Sequence, residues 1–305
     1  MRLPRQFAHS RLYQYQKEIR ICMRLGARWP DRVRLAAATL EFHAANLAGL
    51  AGPGAVLAPG RYSVDIGRGA TDLWLRRRSG DFFILHEIFT CAAYTIPAKW
   101  LGRVATVVDL GANVGLTTLF LAQSFPEARY VCVEPNPANA AVLRRNVAWL
   151  GARAEVIEAA VTDYSGQVAF TDSEPSYNGH IAGPGQTGHM VRCCTLDEIV
   201  ASRGLGRIDI LKIDIEGAER DVLRSNPACL SNVGLIIIEL HDDYSLSDFG
   251  KDLAPLGFTV IPPGPQHDNA MVIAVSREAG LPPRGTAVTA EEMAVPSSPL
   301  SKVPA

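Results

Sequence analysis

The sequence predicts an α/β protein, a mostly parallel, doubly wound sheet carrying an N-terminal helical extension. Residues 105–118 read Ala-Thr-Val-Val-Asp-Leu-Gly-Ala-Asn-Val-Gly-Leu-Thr-Thr: a short apolar strand, an acid at its carboxyl end, a glycine turn and a helix start. From there to Val275 strand-like runs alternate with helical ones, the order that implies parallel strands joined by right-handed crossovers. Residues 211–219, Leu-Lys-Ile-Asp-Ile-Glu-Gly-Ala-Glu, repeat the strand–acid–glycine device at a later strand.

Residues 1 to about 36 are basic, with nine Lys and Arg against Glu18 and Asp31. Their helical stripe of Leu12, Ile19 and Met23 reads as a face docking on the protein, the alternative being contact with acidic lipid or RNA. A second helix is expected over Ala36–Leu50, ended by Gly52-Pro53-Gly54. Strand-like pieces follow at Tyr62–Ile66 and Asp72–Arg76, then a helix from Asp81 to Ala93 that ends near Pro97 and is expected to cross the mouth of the sheet.

The regular alternation begins with strand Thr106–Asp109 and helix Leu116–Ser124. Strand Tyr130–Glu134 leads to helix Pro137–Leu150, and strand Ala154–Glu158 precedes an added β-piece at Val168–Thr171. Residues 172–190 read as a glycine-rich polar loop. Thr195 caps a helix over Leu196–Arg203, since its hydroxyl can accept from free amides of the first turn. Strand Ile208–Asp214 and helix Ala218–Ser225 come next, then strand Gly234–Glu239 and a helix around Ser247–Leu256. Strands Phe258–Ile261 and Ala270–Val275, joined by Pro262–Asn269, form an antiparallel hairpin. The expected organisation is an extension over 1–75, the sheet domain over 76–277, and a disordered tail over 278–305, rich in Pro, Ala, Ser and Thr.

Composition narrows the function classes. With 48% hydrophobic and 20% charged residues and a net charge of −1, the chain reads as globular, without the basic excess of a nucleic-acid binder. The apolar stretch from Val33 to Leu57 is interrupted by Arg34, Glu41, His43, Asn46 and Pro53, so no membrane span is expected. The first residues lack the apolar core of a signal peptide. The six cysteines form no C-x-x-C pair, which fits reduced thiols and a cytoplasmic protein.

Two cofactor classes use a strand, a glycine turn and a helix, with the ligand lying at the strand ends. A dinucleotide site wants G-x-G-x-x-G, so that a pyrophosphate sits on the helix N-terminus. Here the pattern is Gly-Ala-Asn-Val-Gly, with Asp109 two residues before Gly111. The missing third glycine and this carboxylate favour a cationic, hydroxylated ligand, S-adenosyl-L-methionine (SAM). Glu134, at the end of Tyr130-Val131-Cys132-Val133, is placed to accept from ribose hydroxyls. The expected cofactor contacts are Glu87, Tyr94, Asp109, Gly111, Asn113, Gly115, Glu134, Asn136, Ala160 and Val161, with Glu87 accepting from the ammonium group of SAM.

The later strand end supplies the chemistry. Lys212, Asp214 and Glu216 share one face if the strand stays extended, and Glu239 and His241 end the following strand. Asp214, His241 and Lys212 are the candidate catalytic residues, Asp214 first as the general base. A divalent ion such as magnesium, if one is held, is expected on Asp214, Glu239 and His241. His180, in the loop, is a weaker candidate.

In chain order, Asp-Leu-Gly-Ala-Asn-Val-Gly, Glu-Pro-Asn-Pro, Thr-Leu-Asp-Glu-Ile, Leu-Lys-Ile-Asp-Ile-Glu-Gly-Ala-Glu and Ile-Ile-Glu-Leu-His resemble the FkbM-type SAM-dependent methyltransferases. The resemblance runs from about Asp81 to about Val275 and leaves out residues 1–60 and the loop 172–190. It implies a class I methyltransferase sheet of seven strands with an antiparallel last strand. It also implies methyl transfer, usually to a hydroxyl of a sugar, polyketide or other small metabolite. Competing expectations are an RNA ribose 2'-O-methyltransferase, whose binding would weaken steeply with salt, and a SAM-binding protein without catalysis. A nicotinamide-dependent dehydrogenase is more distant.

Overall fold

The structure is a computed structural model that describes residues 11–49, 57–67, 69–91, 94, 96, 103–171, 179–183, 186–241, 244–261 and 271–277. The expected tail 278–305, the first part of the loop at 172–178, the connection 262–269, the glycine–proline stop at 52–54 and the start of the basic arm lie outside these residues. The chain divides into two compact units; described residues up to Cys91 fall in the first, those from Tyr94 onward in the second.

In the first unit, α1 (Arg11–Leu25) and α2 (Trp29–Leu47) are followed by β1 (Pro59–Asp65), β2 (Ala70–Arg76) and α3 (Asp81–Cys91). The extension is thus two helices plus an antiparallel hairpin, Pro59 pairing with Arg76 and Asp65 with Ala70. Ile21, Cys22 and Leu25 are the buried face of α1; Ile19 and Met23, from the expected stripe, are only half-buried. The second helix begins at Trp29 rather than Ala36, because Pro30 is tolerated in a first helical turn. Asp81 locks hairpin to helix: its carboxylate accepts from Arg76 N and Nη2, both at 2.7 Å.

The second unit holds a seven-stranded sheet of order β12-β13-β11-β10-β3-β4-β5. In chain order these are β3 (Thr106–Leu110), β4 (Arg129–Val133), β5 (Ala154–Ile157), β10 (Ile208–Ile213), β11 (Val233–Glu239), β12 (Phe258–Ile261) and β13 (Met271–Ser276). β13 is antiparallel to both β11 and β12, and the other pairings are parallel. From β3 the chain winds one way through β4 and β5 and then returns to build the other side from β10. The switch point therefore lies between β3 and β10, where open α/β sheets place ligands. Val107, Val108, Leu211 and Ile236 are fully buried, as continuous apolar strands of a parallel sheet require.

The helices α4 (Leu116–Ser124), α5 (Pro137–Val147), α6 (Leu196–Arg203), α7 (Glu219–Ser225), α8 (Pro227–Leu230) and α9 (Leu246–Leu253) connect these strands. Thr195 caps α6, its hydroxyl accepting from Glu198 N at 3.1 Å. A second sheet, of order β6-β9-β7-β8, joins Ala160–Val161, His189–Cys194, Gly166–Thr171 and His180–Ile181. The expected loop 172–190 is thus partly strand at 180–181 and 189–190. Cys22, Cys132, Cys193, Cys194 and Cys229 are free and buried. Among the described residues no helix is long and apolar enough to cross a membrane.

The turn after β3 is set by two glycines with left-handed backbone, Gly111 (φ 74°) and Gly115 (φ 85°). A Cβ on Gly111 would lie 1.7 Å from the Asp214 carbonyl oxygen, whereas one on Gly115 would meet the flexible Leu143 side chain at 2.6 Å. Gly111→Ala is expected to cost at least about 3 kcal/mol of unfolding free energy, and Gly115→Ala about 1–2 kcal/mol. Equal losses in urea denaturation would show that the β3–β10 backbone contact is not the constraint.

Candidate active site

Lys212 stands in register with Asp109 across the parallel β10–β3 pair. Lys212 is 1% exposed. Its ammonium lies 3.2 Å from Asp109 Oδ1 and 3.3 Å from Asp214 Oδ2. It also donates to the carbonyls of Gly111 (2.7 Å) and Leu110 (3.3 Å). Burial by itself would lower the lysine pKa, but Asp109 and Asp214 reverse this and hold it well above the ordinary value. Lys212 is a fixed cation that ties the glycine turn to the end of β10.

Asp109 is fully buried. One of its oxygens faces Lys212, and the other accepts from the Thr118 hydroxyl at 2.6 Å. It shapes the turn through those partners.

Glu134 is 5% exposed. Its Oε2 accepts from Asn113 N at 2.8 Å, and its Oε1 from Asn136 N at 3.0 Å and Asn139 Nδ2 at 3.2 Å. A carboxylate has about four acceptor sites, so these three donors leave one on Oε2. Burial pushes the Glu134 pKa up to about 7, against the pull of its N–H donors. Beside it, Asn113 adopts a left-handed φ of 49°, and its Oδ1 is buried without a hydrogen-bond partner. Glu134 Oε2 and Asn113 Oδ1 are thus two acceptors close together, which fits a ligand bringing hydroxyl donors. The Asn136 Oδ1 caps α5 by accepting from Ala138 N and Asn139 N. Ala160 and Val161 are buried in β6, paired with Cys193 and Cys194.

At the other rim stands His241, just beyond β11. Its Nδ1 lies 2.8 Å from Oε1 of Glu219, a side chain 1% exposed. Its Nε2 faces Glu216 Oε2 at 3.6 Å, and Asp214 Oδ1 and Glu239 Oε1 at 4.0 Å each. Burial alone would lower the His241 pKa, but the Glu219 bond and the nearby carboxylates raise it to about 9. Burial likewise raises Glu216 to about 7, with Asp214 and Glu219 adding to the rise and His241 opposing it. Tyr94 is buried, hydrogen-bonded with Thr117 and within electrostatic range of Lys212, Asp214 and Glu239; burial raises its phenol well above the ordinary value.

Lys212, Asp214, Glu239, His241 and Tyr94 are therefore brought together, and Glu134, Asn113 and Gly111 line the neighbouring turn. Glu87, half-buried on α3, belongs to the first unit. His180 lies in β8 within electrostatic range of Glu216. The expected extension of the 212–216 face does not occur, since β10 ends at Ile213 and Glu216 has a φ of 55°. Glu216 reaches the rim as expected, though not by strand extension, and Glu219 was not expected as a site residue. An acid opening a helix reads as a partner for the helix dipole, and only the fold returns Glu219 to His241.

The donors that converge as a metal-sized group among the described residues are Asp214, Glu216 and His241, within 4.8 Å of one another, not the expected trio with Glu239. One oxygen of Asp214 is held by the Lys212 ammonium, and His241 is a cation over most of the neutral range. Both features oppose direct ligation of a divalent cation, so these residues fit one poorly.

Residues 109–272 match the family model described as the Methyltransferase FkbM domain. The AMB antimetabolite synthetase AmbE of Pseudomonas aeruginosa is 28% identical over 200 residues, covering 52% of this chain and 9% of AmbE. The 31-O-demethyl-FK506 methyltransferase FkbM of Streptomyces tacrolimicus is 27% identical over 213 residues, 59% of this chain and 82% of that protein. The 2-O-methyltransferase NoeI of Sinorhizobium fredii is 29% identical over 156 residues, 45% of this chain and 63% of NoeI. The match thus spans a small part of AmbE and just under two thirds of NoeI. The seven-stranded sheet with its one antiparallel strand is the class I methyltransferase fold, and the chain belongs to the FkbM family of SAM-dependent methyltransferases.

Proposed function

We propose that this protein methylates a hydroxyl of a sugar, polyketide or other small metabolite, with His241 taking the hydroxyl proton. The observation that carries this reading is the imidazole Nε2 of His241, set among Asp214, Glu216 and Glu239 at the strand ends beside the glycine turn. Oxygen as the acceptor atom is supported by the names of two relatives, a 2-O-methyltransferase and a 31-O-demethyl-FK506 methyltransferase.

SAM, when bound, supplies an electrophilic methyl group on a positively charged sulfur. Glu134 Oε2 and Asn113 Oδ1 are proposed to accept from its hydroxyls, and the half-exposed acids of the second rim suit its positive charge. Holding two reactants in line lowers the barrier by about 7–11 kcal/mol, and a positioned base adds roughly 10²–10⁴-fold. Asp214, the first candidate for that base, has one oxygen engaged by the Lys212 ammonium at 3.3 Å. Its proposed part is to orient the acceptor hydroxyl. The nearby carboxylates raise the His241 pKa to about 9, and positive charge brought in by the cofactor lowers it toward the working range.

Calorimetry tests the cofactor rim. Glu134→Ala is expected to weaken SAM binding by about 1.5–3 kcal/mol, the scale of hydrogen bonds to a charged group. In the wild type, affinity should fall as pH drops below about 7, where Glu134 takes up a proton; unchanged affinity in both measurements would contradict the assignment.

Transfer is tested by incubating polar metabolites with SAM carrying a ¹³C-methyl group and identifying the labelled product. An O-methyl product is expected, with His241→Asn lowering its formation by about 10²–10⁴-fold at little change in SAM affinity. An N- or C-methyl product would refute the hydroxyl acceptor, and near-normal turnover in His241→Asn would return Asp214 to the role of base.

A further inference from the structure

Glu219 is the least solvent-exposed carboxylate of the second rim, its side chain 1% exposed against 24% for Asp214, 26% for Glu216 and 29% for Glu239. Nothing in the proposed transfer uses it directly. A buried carboxylate costs several kcal/mol unless its lone pairs are met, and here they are. Oε1 accepts from Ile215 N at 3.2 Å and Gly217 N at 3.3 Å, and Oε2 from Gly217 N at 3.0 Å. The remaining short contact is to His241 Nδ1 at 2.8 Å. Burial would raise the Glu219 pKa, but His241 and the backbone donors outweigh it and hold it below the ordinary value, so the group stays ionised.

An ionised carboxylate only accepts, so it fixes which edge of the ring donates. Nδ1 carries a proton toward Glu219, and the neutral ring then has its lone pair on Nε2. That nitrogen is the one turned to the half-exposed edge, where Asp214, Glu216 and Glu239 gather. His180 bears on this group through Glu216, and Lys212 through Asp214. The same carboxylate holds the 215–217 backbone, so loop and imidazole are set by one side chain.

Resting on the proposed O-methyl transfer, we propose that Glu219 is a positioning residue, which orients His241 through Nδ1 so that Nε2 receives the acceptor proton. In that step the acceptor O–H proton passes to Nε2 and the oxygen bonds to the methyl carbon. The carbon–sulfur bond breaks with its electron pair on sulfur, leaving a neutral thioether, and the imidazolium later returns its proton to water. The role parallels that of a buried acid behind a catalytic histidine, which sets tautomer and direction without itself taking the proton.

The test pairs two readouts on the full-length chain. ¹⁵N NMR of histidine-labelled protein follows the His241 ring through its titration near pH 9, with His241→Asn assigning its signals. The rate of ¹³C-methyl transfer from SAM into polar metabolites is followed over the same pH range. Neutral His241 is the active form, so transfer should rise with pH along its titration, and above it the proton should reside on Nδ1. In Glu219→Gln, which preserves volume, the titration and the rate limb should shift together to lower pH by about one unit or more. The plateau rate should fall at least about 10–100-fold, the scale known for partners that orient metal-ligating histidines, with SAM affinity retained.

If neither titration nor limb moves, Glu219 does not act on His241 and the inference is overturned. If the titration moves and the limb stays, His241 is not the base, so the proposed proton acceptor fails and this inference with it. Should Glu219→Gln not fold, the wild-type tautomer decides: a proton on Nδ1 supports the inference, and one on Nε2 overturns it.

Discussion

The structure depends on one buried cation. Lys212 sits between two strands that are far apart in sequence, and its ammonium holds Asp109 from the first and Asp214 from the second, with the Gly111 carbonyl between them. A charge 1% exposed is tolerated only where partners replace its hydration. Two carboxylates and two carbonyls do so here, at the cost of bringing both strand ends into one fixed arrangement. The backbone is equally constrained, since Gly111 leaves no room for a Cβ against the Asp214 carbonyl. Together these contacts set the glycine turn against the rim that carries His241.

The acids around this centre divide by burial. Asp109 and Glu219 are almost fully buried, and they hold other groups in place. Asp214, Glu216 and Glu239 are partly exposed and crowd one imidazole nitrogen. Like charges gathered this closely repel one another, and Glu216 shows it, its pKa raised to about 7 by burial and by its neighbours. The His241 imidazole at their centre offsets that repulsion while it carries a proton.

Much of this was legible in the sequence because local chemistry determined it. Helix Leu116–Ser124, the Thr195 cap and strand Phe258–Ile261 follow from turn residues, a capping hydroxyl and an apolar run, and they stand where expected. Features that depend on pairing were not legible. That Asp109 faces Lys212 follows from the β3–β10 register, which alternation within one strand cannot supply. The strand β9, His189–Cys194, was hidden because it follows a glycine-rich stretch and has only one buried residue among its first four. Glu219 reads as an ordinary first-turn acid until the fold brings His241 to it, 22 positions away.

The most direct test of this account is the substitution Lys212→Met, which keeps length and removes the charge, measured by urea denaturation together with SAM calorimetry. Leaving Asp109 and Asp214 without their cation is expected to cost about 3–5 kcal/mol of stability, and SAM affinity should fall with it because both rims lose their common anchor. A variant as stable as the wild type that binds SAM equally well would contradict the central role given to this lysine.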